Sequence, residues 1–404
     1  MHVIEPTIYQ PVREPRRRWV YVIAPFILIV VLAVINYLRP MPTATVFWNL
    51  QPPATDATPT LSWPTEGQAA VAAEGYGPLD TFGSQTPTAT ASIAKVILAL
   101  CVLQKQPLNL GQTGQIYTVD ADDVATYQAY AAQDGSTLQV TEGEQLTEYQ
   151  ALQALMLPSA NNIADSLSRW VFGNQADYVT YSSAWLQRNG LDNTHIGIDA
   201  SGFDPSTTST ASDLAQLGLL AAHNPVLMSI AGQSTATLPV AGVVSNYDTV
   251  LGQSGIDGLK TGNNASDLGA FLFTATTAIG GKTLRLTGAI MGAPDLNTAL
   301  QESVQLAASA ETGFEQTTIA QAGKVVGSLR TAWGSVAPIL VAQPVQLVRW
   351  KGTPITERHQ VDASTRSGVV GQLNASAGPN NTETALRLGH SLASPTLWWR
   401  LTRH

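Results

Sequence analysis

A serine and a lysine three residues apart, Ser92 and Lys95, are the first candidates for chemistry in this 404-residue chain. On a helix, residues three apart share a face, so the Lys95 amine can reach the Ser92 hydroxyl. A serine hydroxyl is a weak nucleophile until a neighbouring base removes its proton. The unpaired N–H groups of a helix N-terminus also favour a developing oxyanion. The spacing predicts a serine nucleophile with a lysine base, although a serine that only caps a helix gives the same pattern.

A second polar pair follows a proline that ends a helical pattern. Pro158 is followed by Ser159, Ala160 and Asn161, and a further helical pattern then begins. A tight loop between two buried helices can present a hydroxyl and an amide together. Serine and asparagine are also favoured in turns and at helix N-caps, so this pair alone does not define a site.

A third group is Lys260, Thr261 and Gly262, within a stretch that predicts a strand. Lys260 and Thr261 offer a cation and a hydroxyl to a substrate carboxylate. Gly262 allows a ligand backbone to lie close against the strand. A single Lys-Thr-Gly sequence is weak evidence for a binding site.

Helices and antiparallel strands must position these three groups. The run Val96 to Leu103 has almost no polar face, so we expect a helix that is buried on all sides and holds Ser92 rigidly. Apolar spacing predicts a helix from Leu146 to Leu157, and another follows from Asn162 to Trp170. Residues 268–276 and 284–291 predict neighbouring antiparallel strands, and residues 69–82 predict a strand pair that turns at Gly75-Tyr76-Gly77.

Taken together and in this order, the three groups resemble the motif set of β-lactamases and penicillin-binding proteins. The chain is most similar to the low-molecular-mass penicillin-binding proteins that are D-alanyl-D-alanine carboxypeptidases. The similarity extends to residues 155–165, 199–204 and 255–262, and covers Gln68 to about Ala293. It implies an α+β fold: a β-lactamase/transpeptidase-like catalytic domain, with an antiparallel sheet and a helical subdomain.

The resemblance implies a role for each catalytic residue. Ser92 would attack the carbonyl between the last two D-alanines of a peptidoglycan stem and form an acyl-enzyme. Lys95 would take its proton, which requires that burial and the nearby Lys260 lower the pKa of Lys95. Ser159 would relay the proton to the leaving amine.

The resemblance also implies the substrate-binding residues. Asn161 would hold the stem amide, and Lys260 and Thr261 would bind the terminal carboxylate on the Gly262 strand. Backbone N–H groups of Ser92 and Asn263 would form the oxyanion hole. No metal or organic cofactor is implied, and β-lactam antibiotics would be covalent inhibitors.

Three alternatives remain open on the sequence. A D,D-endopeptidase that cuts peptidoglycan cross-links would use the same residues. A β-lactamase is disfavoured because no Glu-x-x-x-Asn loop of the class A type is present. A catalytically silent protein that binds the cell wall is disfavoured by the intact motifs. The segment 263–267 departs from the family pattern, which puts substrate preference there in doubt.

An uncharged apolar run from Trp19 to Leu38 is long enough to span a bilayer. Arg16-Arg17-Arg18 precedes it and is expected to stay in the cytoplasm, which places the rest of the chain outside. A cleaved signal peptide is the competing interpretation, but no small-x-small cleavage site follows. We expect a retained anchor in a bacterial cell membrane.

These patterns divide the chain into five parts. We expect a cytoplasmic tail (1–18), a transmembrane helix (19–38), a Pro-rich linker (39–67), the catalytic domain (68–312) and a small all-β domain (313–404). Five short apolar runs between residues 324 and 388 predict the strands of that last domain. The final residues, 397–404, are too short for a C-terminal membrane helix, although Trp398 and Trp399 could contact lipid.

Overall charge and cysteine content exclude other classes. The formal net charge is -8, so no basic surface is expected for a nucleic-acid partner. The single cysteine, Cys101, excludes an internal disulfide and a cysteine-based zinc site. It falls within the apolar run and is interpreted as a core residue.

Overall fold

A computed structural model of the chain describes residues 18–50, 57–263 and 268–403. Arg16 and Arg17 of the arginine cluster, part of the linker and most of the divergent 263–267 segment lie outside these residues. Ten α-helices occur in the described ranges: α1 (Arg18–Leu38), α2 (Ala94–Lys105), α3 (Ala121–Ala131), α4 (Glu148–Met156), α5 (Asn161–Phe172), α6 (Gln175–Arg188), α7 (Ala211–Ala222), α8 (Pro225–Ala231), α9 (Leu296–Thr312) and α10 (Leu397–Thr402).

The same ranges contain nineteen strands. The first twelve are β1 (Thr45–Trp48), β2 (Gln68–Ala73), β3 (Gly77–Phe82), β4 (Thr88–Ala89), β5 (Ile116–Thr118), β6 (Gln145–Thr147), β7 (Thr208–Ser209), β8 (Thr235–Leu238), β9 (Gly242–Ser245), β10 (Ile256–Asn263), β11 (Gly269–Ile279) and β12 (Lys282–Ala293). The last seven are β13 (Phe314–Ala320), β14 (Val325–Arg330), β15 (Val336–Val341), β16 (Val345–Trp350), β17 (Thr356–Val361), β18 (Val369–Ala377) and β19 (Asn380–Leu388).

A five-stranded antiparallel sheet in the order β10-β11-β12-β2-β3 forms the centre of the first half. Side chains alternate across a strand, so β2 serves two cores at once. Ala70 and Ala72 face a core shared with α2, α4, α5 and α7, whereas Val71 faces a second core that α9 covers. The sheet is therefore covered by helices on both faces, and the larger helical cluster lies on the α2 side.

The strand pair at 69–82 and the antiparallel strands β11 and β12 confirm the predicted sheet, and the mixed helix and sheet architecture confirms the α+β expectation. The helix predicted from Leu146 begins two residues later, at Glu148, because Gln145–Thr147 pairs with β5 instead. The Thr147 side chain and Gln150 then form a capping box that starts α4.

A second antiparallel sheet, in the order β1-β14-β15-β19-β18-β17, lies in the C-terminal part of the chain. The β13–β16 pair completes this part, whose core includes Leu329, Ile339 and Leu373. All five predicted strands are present, and the sequence analysis missed β13 and β17. We propose to divide the chain at residue 312, where α9 ends.

The segment predicted as a linker is partly built into the fold. Residues 45–48 form an edge strand, with Thr45 opposite Arg330 of β14. Further along, Trp63 stacks on Phe82 of β3, with ring centroids 6.0 Å apart. The chain that leaves α1 is thus attached first to the C-terminal sheet and then to the catalytic sheet.

Candidate active site

Ser92 lies in a single 3₁₀ turn, Ala91–Ile93, that leads directly into α2. Ala91 has a φ of 48°, which lies in the left-handed region of backbone conformation that residues other than glycine rarely adopt. The turn continues into the buried, apolar helix α2, which holds it in place, as the sequence predicted. On the other side, a Cβ placed on Gly262 of β10 would lie 3.1 Å from the Thr90 carbonyl oxygen. The nucleophile turn is therefore held between a buried helix and the edge strand of the sheet.

The Lys95 amine is fully enclosed, with no exposed surface, and all three of its hydrogen-bonding directions are used. Its Nζ lies 2.8 Å from Ser92 Oγ, 2.8 Å from Asn161 Oδ1 and 2.9 Å from the Ser201 carbonyl oxygen. Two of these partners can only accept, so a neutral amine gives them its two N–H groups. Its lone pair then points at the Ser92 hydroxyl, which is the orientation a general base requires.

Burial is the main cause that lowers the pKa of Lys95 well below its ordinary value, and the positive charge of Lys260 lowers it further. The carboxylates of Asp199 and Asp165 act in the opposite direction. The amine is thus deprotonated far more readily than an exposed lysine, as the proposed base must be.

Ser159 and Asn161 lie at the junction of α4 and α5. Asn161 is the first residue of α5, and its backbone N–H donates to the Ser136 carbonyl at 2.8 Å. Ser159 has a φ of 61°, and its hydroxyl is buried with no hydrogen-bond partner within the described residues. The structure does not pair Ser159 with Lys95. The role of Ser159 as a proton relay therefore stays a prediction.

Lys260 and Thr261 lie in β10, which pairs with β11. The Lys260 side chain is 1% exposed, and its Nζ lies 3.2 Å from the Thr261 carbonyl oxygen and 3.5 Å from Thr261 Oγ1. Burial lowers the pKa of Lys260 to about 7, against the opposing charge of Asp248. Asn263 ends the strand, and residues 264–267 beyond it lie outside the described part of the chain.

The sequence analysis noted residues 199–204 as part of the family resemblance but gave no role to this turn, which supplies the third partner of Lys95. The Asp199 carboxylate accepts hydrogen bonds from the backbone N–H groups of Ser201, Gly202 and Asp204 at 2.6, 2.6 and 2.7 Å. This wraps residues 199–204 around one side chain and points the Ser201 carbonyl at Lys95. An aspartate side chain commonly accepts hydrogen bonds from backbone N–H groups of the residues that follow it in the chain. The pattern Asp-x-Ser-Gly-x-Asp at residues 199–204 was therefore the sequence signal that could have predicted this turn.

A buried amine hydrogen-bonded to a serine hydroxyl is the arrangement of a serine hydrolase that uses lysine as its base. The sequence profile of the D-alanyl-D-alanine carboxypeptidase family, peptidase S11, matches residues 81–295, more than half of the chain. The chain belongs to this family and is a serine-type D-Ala-D-Ala carboxypeptidase.

Individual relatives agree with this assignment. D-alanyl-D-alanine carboxypeptidase DacD of Salmonella typhimurium is 26% identical over 284 residues, which cover 64% of this chain and 70% of the relative. DacB2 of Mycobacterium tuberculosis is 33% identical over 203 residues, or 48% of this chain and 64% of the relative. Among solved structures, penicillin-binding protein 6B of Escherichia coli superposes with a TM-score of 0.58 at 20% identity, covering 84% of this chain and 96% of that one. That likeness extends the shared fold into the C-terminal strands.

Proposed function

We propose that the chain removes the terminal D-alanine from peptidoglycan stem pentapeptides through an acyl-enzyme on Ser92. The 2.8 Å contact between Lys95 Nζ and Ser92 Oγ carries this proposal, because the other two partners of the amine leave its lone pair for the serine proton. Lys95 takes the proton from Ser92 Oγ as that oxygen bonds to the carbonyl carbon. The resulting oxyanion is placed between the backbone N–H groups of Ser92 and Asn263.

Breakdown of the tetrahedral intermediate returns the proton. The bond from the carbonyl carbon to the D-alanine nitrogen breaks, and the proton passes from Lys95 through the Ser159 hydroxyl to that nitrogen. A buried hydroxyl with no partner of its own is suited to such a relay. Water then attacks the ester on Ser92, and the shortened stem peptide leaves.

Substrate binding uses the other side of the cleft. The buried ammonium of Lys260 and the Thr261 hydroxyl receive the terminal carboxylate, and Asn161 holds the stem amide. Gly262 has no side chain, which lets the Ser92 turn lie close against β10, since a Cβ there would be 3.1 Å from the Thr90 carbonyl oxygen. The sequence analysis assigned this space to the substrate backbone, whereas residues 90–93 occupy it. β-Lactams carry a carboxylate and a reactive amide in the same relation, so they acylate Ser92 as covalent inhibitors.

The test of this function is labelling of the full-length chain in detergent with a fluorescent penicillin. We expect labelling of the wild type and none of Ser92→Ala, with Ser391→Ala as the matched control because Ser391 is exposed and remote from the cleft. D-alanine release from a pentapeptide then identifies a carboxypeptidase, whereas cleavage of a cross-linked muropeptide without such release identifies an endopeptidase. A folded wild-type chain that takes no label contradicts the acyl-enzyme and favours a silent wall-binding protein.

We also propose that α1 holds the chain in the cell membrane with the catalytic domain on the extracytoplasmic side. The segment Tyr21–Leu38 is long and apolar enough to cross a bilayer, with a mean hydropathy of 2.5, although a signal sequence meets the same criteria. The peptidoglycan substrate and the arginine cluster before α1 both favour this orientation.

The C-terminal helix α10 supports retention of α1. The Arg403 guanidinium donates to the Asn36 carbonyl at 2.7 Å, and the Asn36 side chain donates to the Leu401 carbonyl at 3.2 Å. Arg400 lies over the Tyr37 ring at 4.2 Å, while Trp398 beside them is 75% exposed. The last turn of α1 is thus bonded to the end of the folded chain, where aromatic side chains favour a membrane interface.

Cysteine accessibility tests the topology, since the single native cysteine, Cys101, is buried. A membrane-impermeant maleimide on intact cells is expected to label Val369→Cys, and to label Thr7→Cys only after lysis. Labelling of Thr7→Cys in intact cells contradicts the orientation. Loss of an N-terminal tag from the mature protein contradicts a retained anchor.

A further inference from the structure

Asp165 is an acidic residue near the cleft that the proposed mechanism does not use. It lies on α5 one helical turn after Asn161, so the two side chains share a face of that helix. The Tyr130 hydroxyl, from α3, donates to Asp165 Oδ2 at 2.9 Å. On the other side, the backbone of Ala200 favours the ionised form of the Asp165 carboxylate. The carboxylate therefore bonds α5 to α3 and lies beside the 199–204 turn.

That turn is the one that holds the Ser201 carbonyl against Lys95. Tyr130 contacts this turn directly, because its ring packs edge-on against Phe203 with centroids 5.4 Å apart. A Cβ placed on Gly202 would lie only 2.1 Å from the Ala91 carbonyl oxygen, so the turn also rests on the nucleophile turn. A displacement of the 199–204 turn is thus transmitted to both Lys95 and Ser92.

Charges reach Lys95 from three elements. Lys260 on β10 repels its ammonium form, whereas Asp199 in the turn and Asp165 on α5 attract it. The Asp199 charge is already shared among several N–H donors of its own turn.

Asp165 itself faces three groups. Burial and Asp199 raise the pKa of Asp165, while the Tyr130 hydroxyl and Arg169 favour its ionised form. The ionised form of Asp165 near Lys95 is therefore stabilised by one side-chain hydrogen bond, which comes from Tyr130 on another helix.

We propose that Asp165 is a positioning residue for the Lys95 base: its charge, and its hydrogen bond to the Tyr130 that packs on Phe203 of the 199–204 turn, hold the amine against Ser92. Among the described residues, no hydrogen bond joins Asp165 to Ser92. The inference rests on the proposed roles of Ser92 and Lys95, and adds a half-buried counter-charge that controls when the base is neutral.

The test is the pH dependence of the acylation rate constant with fluorescent penicillin. Asp165→Asn keeps the shape and an acceptor for Tyr130 but removes the charge, so the pKa of Lys95 falls. We expect the acidic limb of the profile to move to lower pH by about one unit. Asp192→Asn is the matched control, since Asp192 is exposed, and its profile is expected to superimpose on the wild type.

Tyr130→Phe is the second variant and keeps the ring against Phe203. Without the phenol, the ionised form of Asp165 loses a donor, so we expect a smaller shift in the same direction. An unmoved acidic limb in folded Asp165→Asn overturns the proposal, and Tyr130→Phe decides if Asp165→Asn does not fold by circular dichroism. A wild-type chain that is not acylated at all refutes the proposed function itself, which is a separate outcome.

Discussion

The two buried lysines of the cleft are held in different ways. Lys95 has three short hydrogen bonds, at 2.8, 2.8 and 2.9 Å, from three separate parts of the chain. Within the part of the chain that the structure describes, Lys260 has two longer contacts, at 3.2 and 3.5 Å, both to its own neighbour Thr261. Neither side chain is open to solvent, and burial lowers the pKa of both.

This difference separates two kinds of task. An amine whose partners are all fixed has one orientation for its lone pair, which suits proton transfer to a single atom. An amine with weak contacts still has N–H groups that can donate to an anion. A buried cation is also strongly stabilised when an anion binds beside it. We therefore propose that Lys95 acts as the base and Lys260 as the receptor for the substrate carboxylate.

Lys95→Met is expected to have the largest effect. It removes the base but leaves the carboxylate receptor, so the acylation rate constant should fall by about 10³-fold for any substrate. The loss should be equal for a peptide that ends in a carboxylate and for its C-terminal amide. Rapid-quench measurements with both peptides check this, and an effect confined to the carboxylate peptide would exchange the roles of the two lysines.

Lys260→Met is the matched change at the other lysine. A hydrogen bond to a charged group contributes about 1.5–3 kcal/mol, so KM for the carboxylate peptide should rise by about 10- to 100-fold. The amide analogue lacks the charge and should change little. Steady-state D-alanine release gives both KM values, and equal losses for the two peptides would show that Lys260 is not the receptor.

The pH dependence of KM sharpens the same distinction. The pKa of Lys260 is lowered to about 7, so its positive charge is present below that pH and is lost above it. We expect KM for the carboxylate peptide to rise above pH 7, by up to about tenfold per unit, while KM for the amide analogue stays flat. Parallel curves for the two peptides would place the titrating group elsewhere.

The sequence named the candidate residues of this site but not their contacts. Ser92, Lys95, Asn161, Lys260 and Thr261 each lie in a short motif, and the roles assigned to them stay predictions. The Ser201 carbonyl could not be found in that way, since every residue carries a backbone carbonyl and only the folded Asp199 turn points this one at Lys95. Ser159 was identified, but its lack of a direct partner needed the structure.

The prediction of the fold from the sequence was limited in a similar way. Helix α4 follows from apolar spacing and helix α2 from a nearly continuous apolar run, and both are local properties of the sequence. Strand β1 does not, because its pairing of Thr45 with Arg330 joins residues far apart in the chain. Strand β17 was missed since its sequence, Thr356–Val361, is largely polar and no residue in it is fully buried.

The smallest expected effect concerns the coupling between the two lysines. The positive charge of Lys260 lowers the pKa of Lys95, so Lys260→Met should raise that pKa. A higher pKa keeps Lys95 protonated to a higher pH, and the acidic limb of the acylation profile should therefore move upward, by about half a unit to one unit. This is opposite in sign to the shift expected for Asp165→Asn.

Fluorescent penicillin at saturating concentration measures the rate constant independently of the weakened binding. A limb that does not move would mean that the two lysines act without electrostatic coupling, and that burial alone keeps Lys95 ready to accept the serine proton.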